Sequence, residues 1–232
     1  MKNSLLLLLV ISVGAAPSAL AQRGPVARTD VYHVHFAKAV PGKAAQLGDS
    51  LKAQDPKAPM KGHLLALRHQ DGDDWDYVVI EHLGTKATVD AATPPPAPAT
   101  RDLGAWHTDT FTAGPAWPAF ASAMGMDQAS RTAGSVYIVS VYRAVPGHRE
   151  PLEKALTDPP GPGDKTSGLV LLQHLEGGPW QYLTITRYNS WADFGASESS
   201  SLTQTRKGSG GWFQVREHAV FHNDTLADRI AP

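Results

Sequence analysis

Apolar and polar residues along this chain change period in a fixed order, and the order is run through twice. An alternating stretch, Val31–Val40, stops at Pro41-Gly42, and its counterpart Val136–Val145 stops at Pro146-Gly147. Proline removes a backbone donor and glycine permits positive φ, so an extended strand of about ten residues ends there. Leu47 and Leu51, like Leu152 and Leu156, stand four apart and predict a helix with one buried stripe. Pro56 and Pro59 close the first of these helices, and Pro159, Pro160 and Pro162 the second. Two strands follow in each half, His63–Gln70 with Trp75–Leu83 and Gly168–Leu175 with Trp180–Tyr188. The connections, Asp71-Gly72-Asp73-Asp74 and Glu176-Gly177-Gly178-Pro179, are short and turn-rich, as in hairpins. A second helix is expected to start at Thr85 and at Ser190, whose hydroxyls can cap it. Pro94–Pro98 breaks it in the first half, and Ser197–Ser201 and Gly208–Gly211 interrupt it in the second. A last strand is expected near Trp106–Thr112 and near Arg216–His222.

The two runs are copies. At a constant spacing of 105 residues, Val31 to Gly42 aligns with Val136 to Gly147 without a gap. The same spacing pairs Leu64 with Leu169, Leu67 with Leu172, His69 with His174, Gly72 with Gly177, Trp75 with Trp180 and Tyr77 with Tyr182. Strand, helix, strand, strand, helix, strand is the split βαβ order of a ferredoxin-like unit. The fold class is therefore α+β: two tandem ferredoxin-like (split βαβ) repeats, residues 31–114 and 135–230, joined by a surface linker, 115–134.

The strand ending in Pro41-Gly42 or Pro146-Gly147, the helix behind it, and the hairpin bearing Trp75 and Tyr77 or Trp180 and Tyr182 resemble the dimeric α/β-barrel superfamily. Antibiotic-biosynthesis-monooxygenase-like and NIPSNAP-like proteins belong to it. The resemblance implies two ferredoxin-like units packed sheet against sheet, with a ligand held between the sheets. Two copies in one chain imply an intramolecular pseudo-dimer, a monomer in which further oligomerisation stays open. It does not imply one activity, because this scaffold hosts many.

Strand alternation divides the side chains into two faces. Tyr32, Val34 and Phe36 match Tyr137, Val139 and Val141, and Val78 and Ile80 match Leu183 and Ile185; these apolar sets are expected beneath the helices. The other faces carry His33, His35, Tyr77, Glu81, Ser140, Tyr142, Tyr182, Thr184 and Thr186, expected to look into the space between the sheets. Such a mixed aromatic and polar lining suits a small-molecule cavity. The copies are unequal there, with ionisable groups in the first and hydroxyls in the second.

Composition narrows the chemistry. The 232 residues carry 21 Lys+Arg against 22 Asp+Glu and no basic cluster, which disfavours nucleic acid as a partner. There is no cysteine, and hence no disulfide, thiol nucleophile or acylated lipoprotein site. Lys2, the apolar run Leu5–Val13 and Ala19-Leu20-Ala21 read as an export signal over residues 1–21, followed by a tail, 22–30. A mature chain starting at Gln22 would be periplasmic or secreted, with no membrane association after signal removal. The sequence has no serine-hydrolase elbow, zincin motif or dinucleotide-binding glycine pattern.

Three functions stay open. An exported barrel that binds a small aromatic or apolar molecule, without cofactor or resident metal, requires least of the sequence. A cofactor-independent monooxygenase-like enzyme would use His33 or His35 as its base, with Tyr77 and Tyr142 positioning substrate. A haem- or metal-binding barrel would draw on His33-x-His35 with Glu81, or on His69 and His174 as axial ligands. Repeat equivalence of His69 and His174 favours a bracing role beside Trp75 and Trp180. His107, His218 and His222 are expected at a solvated strand edge.

Overall fold

The computed structural model describes residues 27–54, 58–90, 102–127, 131, 133–208 and 210–232. The export-signal segment and Pro94–Pro98 lie outside the described residues.

The first repeat runs β1 (Asp30–Ala39), α1 (Ala44–Lys52), β2 (Leu64–Asp71), β3 (Tyr77–Thr85), α2 (Lys86–Asp90) and β4 (Gly104–Gly114). After α3 (Trp117–Ala123) the second runs β5 (Val136–Ala144), α4 (Arg149–Thr157), β6 (Gly168–Glu176), β7 (Tyr182–Tyr188), α5 (Trp191–Thr205), α6 (Trp212–His218) and β8 (Ala219–Ala231). Ser190 caps α5 as its position suggests, accepting from the Asp193 amide. The segment expected as a final strand from Arg216 forms the end of α6 instead, and β8 starts at Ala219. No helix among the described residues is long and apolar enough to cross a membrane.

Each repeat forms a four-stranded antiparallel sheet, in the orders β4-β1-β3-β2 and β8-β5-β7-β6. The sheets join edge to edge, β2 against β8 and β4 against β6, and close a single barrel. Closure leaves neither repeat with an unpaired edge.

One apolar cluster fills the barrel, and both repeats supply it: Tyr32, Val34, Phe36, Leu65, Leu67, Val78 and Ile80 meet Tyr137, Val139, Val170, Leu172, Leu183 and Ile185. This reverses the faces expected from the sequence. The apolar faces of β1, β3, β5 and β7 point into the barrel, not towards the helices. Tyr77 instead packs with Leu47 under α1, its hydroxyl donating to the Ala44 carbonyl at 2.7 Å. Tyr182 packs with Leu152 under α4 and donates to Glu153 at 2.7 Å. Glycine at 48 makes room for the first contact, since a Cβ there would lie 2.7 Å from the Tyr77 oxygen.

The barrel's ends differ. At the start of β1 the linker folds into α3, whose Phe120, with Met124 just beyond it, is fully buried in the shared core. This segment plugs the barrel rather than looping over its surface. Tyr32 donates to the Pro115 carbonyl at 2.6 Å and Tyr137 to that of Met124 at 2.9 Å. At the other end of β1, each hairpin crosses to the opposite repeat: Gly72 sits against β8 and Gly177 against β4.

Candidate functional site

The open end of the barrel holds a cleft of about 270 Å³. Its walls are Phe36, Trp75 and Trp106 from the first repeat and Val141, Trp180 and Phe221 from the second. The strand registers explain the pairing. Lys38 stands opposite Trp106 as Arg143 stands opposite Phe221, so Trp106 and Phe221 occupy equivalent places at the rim. Phe36 and Val141 are the last inward apolar residues of β1 and β5. Trp75 and Trp180, just before β3 and β7, are almost completely buried, and the Phe36 and Trp75 ring centroids are 5.6 Å apart. Polar groups are few: Asp73 and Thr108 on one side and Arg143 on the other, its guanidinium 5.6 Å above the Phe221 ring. A mainly aromatic concavity with one cation and one carboxylate at its edge accepts a flat apolar molecule and orients any acidic or hydroxyl group on it.

His69 and His174 brace these walls. His69 meets Trp75 edge-on at 5.7 Å, and His174, beside Trp180, accepts the Gly178 amide on Nε2 at 2.9 Å. Burial lowers the His174 pKa, keeping that nitrogen an acceptor.

None of the nine side chains expected to line the space between the sheets reaches it; all stand on the outward faces of their strands. His33 and His35 lie together on the outer face of β1. Both bond one oxygen of Asp109 on β4, His33 Nε2 at 2.9 Å and His35 Nδ1 at 2.8 Å. His107 Nε2 lies 3.4 Å from the other oxygen. The two hydrogen bonds, from His33 first and His35 next, hold the Asp109 carboxyl well below the usual carboxylate range. Glu81, opposite His33 across β1 and β3, accepts instead from Gln54 at 3.1 Å.

In the second repeat, Ser140 and Thr184 stand opposite one another and are buried on the strand face that carries Tyr142. Burial, with Asp224 nearby, pushes the Tyr142 pKa up to about 12. Thr186 stands opposite Ile138, farther along the same strand face. Tyr77 and Tyr182 sit apart, each under its own helix.

Asp109 and His107 were not singled out as partners of His33 and His35, and Trp106 and Phe221 were not paired. One signal carried all four. Trp106-His107-Thr108-Asp109-Thr110 matches Phe221-His222-Asn223-Asp224-Thr225 at a spacing of 115, ten residues beyond that of the earlier elements. The extra length falls within the stretch that holds α5 and α6.

No protein-family model matches this chain, and no curated protein matches it in sequence. Solved structures do match. A candidate monooxygenase from Fusobacterium nucleatum subsp. nucleatum superposes with TM-score 0.56 at 8% identity, over 87% of this chain and 93% of that one. An anthrone oxidase-like protein superposes with TM-score 0.54 at 12% identity, over 87% of this chain and 92% of that one. The fold is a dimeric α/β barrel. Here the barrel is closed within one polypeptide, and the likeness at such identities carries the fold alone. The barrel's open cleft and its outer histidine cluster are features of these residues.

Proposed function

We propose that this barrel binds a small, flat aromatic molecule in the cleft at its open end. The observation that carries the proposal is the paired wall: Trp75 and Trp180, like Trp106 and Phe221, line one cleft from equivalent positions in the two repeats. Rings in this arrangement take another ring by stacking or edge contact, worth roughly 0.5–1.5 kcal/mol per pair beyond the area buried. Arg143 at the rim favours a ligand with an ionised phenol or carboxyl group over a neutral one.

Two structural neighbours bear the names monooxygenase and anthrone oxidase-like, which supports an oxidisable phenolic ligand as the class to test first. In such a reaction Arg143 would stabilise the deprotonated ring oxygen. His33 and His35 would not act on a ligand held in this cleft, because they lie on the opposite face of β1 from Phe36. We also propose export through residues 1–21, supported by Lys2, the Leu5–Val13 run and the Ala19-Leu20-Ala21 site. N-terminal sequencing of the protein from its native host should then begin at Gln22; an intact Met1 would contradict it.

The binding test is a titration of tryptophan fluorescence with hydroxynaphthalenes. Trp75, Trp106 and Trp180 are three of six tryptophans, so a cleft ligand should quench a large share of the signal. Trp106→Ala, at a partly exposed position, should weaken binding about tenfold, the loss of one to two ring contacts. Unchanged affinity in that variant would remove the proposal.

A further inference from the structure

We propose that His33, His35, His107 and Asp109 bind one divalent ion of the zinc class on the outer face of the first repeat. This site is separate from the cleft and does not rest on its reading. The residues sit on two adjacent antiparallel strands, with His35 opposite Asp109 and His107 opposite Ala37. Period-two alternation puts all four side chains on one face, and they converge there: the three ring nitrogens lie 2.8, 2.9 and 3.4 Å from the Asp109 oxygens.

Those separations suit metal coordination. Two donors each about 2.0–2.2 Å from an ion, at tetrahedral or octahedral angles, are about 2.9–3.5 Å apart. The site is not preassembled, however. Among the described residues no group of three such side chains is already set to hold an ion. His33 and His35 close onto a single oxygen, Asp109 Oδ1, instead of leaving a shared coordination point. An ion must take the place of the ring protons that bond Asp109, which requires these side chains to turn from their present positions. The driving force is charge: a carboxylate ringed by imidazoles gains more from a dication than from hydrogen bonds to the rings. Three nitrogen donors and one carboxylate select zinc and its first-row neighbours over magnesium or calcium, which take oxygen ligands.

The second repeat lacks this arrangement. His222 and Asp224 occupy the places of His107 and Asp109, but Ile138 and Ser140 stand where His33 and His35 do. There His222 stacks on Tyr142 at 6.0 Å, and its Nε2 lies 3.7 Å from Asp224. The His-x-His half is specific to the first copy, and the second supplies a natural replacement for it.

The test uses the full chain, stripped with chelator and titrated with Co²⁺ and then Zn²⁺. One Co²⁺ per chain should bind with visible d–d absorption, and one Zn²⁺ should displace it. The double variant His33→Ile/His35→Ser, which installs the second repeat's residues, should lose at least 100-fold in affinity, the upper end of what removing even an outer-shell partner costs. His222→Ala should bind as the parent does. Should the double variant fail to fold, His107→Ala decides, because that side chain is well exposed and its loss spares the core; it should weaken Co²⁺ binding at least tenfold. Absence of stoichiometric uptake, or uptake unaffected by these histidine replacements, overturns the proposal.

Discussion

Gly72 rests directly against the backbone carbonyl of Asp224. A Cβ at Gly72 would lie 2.5 Å from that oxygen, and its φ of +126° is one that side chains rarely adopt. Gly177, φ +103°, stands in the same way against the Asp109 carbonyl. Each repeat's β2–β3 or β6–β7 hairpin is thus clamped onto the final strand of the other repeat. Gly72→Ala is expected to cost about 2–4 kcal/mol, from backbone strain together with overpacking against a carbonyl that cannot move freely. Chemical denaturation measures it. A cost below about 0.5 kcal/mol would show that the clamp is slack.

A core supplied by both repeats should melt as one unit. Leu67, fully buried in the shared cluster, should cost about 2–5 kcal/mol when changed to alanine. The variant should unfold in a single transition at lower denaturant, with fluorescence and far-ultraviolet circular dichroism coincident. Separate transitions for the halves would contradict the shared core.

Tyr77 separates the two assignments of strand faces. Tyr77→Phe removes the hydrogen bond to the Ala44 carbonyl and should cost about 1 kcal/mol of stability. Affinity for a cleft ligand should not change. Weaker binding with unchanged stability would restore Tyr77 to a ligand site.

Low pH should weaken the fold at the plugged end. His82 bonds Asp30 at 2.8 Å and shares a 2.8 Å contact with His63, whose ring stacks on Trp117. Burial lowers the pKa of both histidines, and for His63 the neighbouring His82 adds to it. The unfolded chain therefore binds protons more readily than the folded one between the depressed values and the ordinary value of 6.5. Stability should be level above that pH and fall below it. Asp109, whose pKa is lowered as well, adds a second loss in the same direction, once pH drops below the ordinary 3.8. Denaturation midpoints from pH 7.5 to 5 check this, and His63→Phe should flatten the slope. A rise in stability on acidification would contradict it.

The duplication made the fold legible, because Pro41-Gly42 and Pro146-Gly147 fix where equivalent strands end. The assignment of faces was not legible, since both faces of these strands are buried. In β3, Tyr77 and Val79 are nearly as enclosed as Val78 and Ile80. Alternation separates two faces but does not say which meets the helices. The small residue at Gly48, spaced to receive Tyr77, held that information. The site was half legible: His33 and His35 were visible as a pair, but their carboxylate came from β4, which a constant spacing of 105 does not reach. The walls of the cleft come from chain positions as distant as Phe36 and Phe221, joined only by closure of the barrel.

The most direct test of the account is a crystal structure of the protein soaked with a hydroxynaphthalene. The ring is expected in the cleft against Trp106 and Phe221, over the edges of Trp75 and Trp180, with its oxygen towards Arg143. Density under the helices beside Tyr77 or Tyr142, with the cleft holding only solvent, would contradict it.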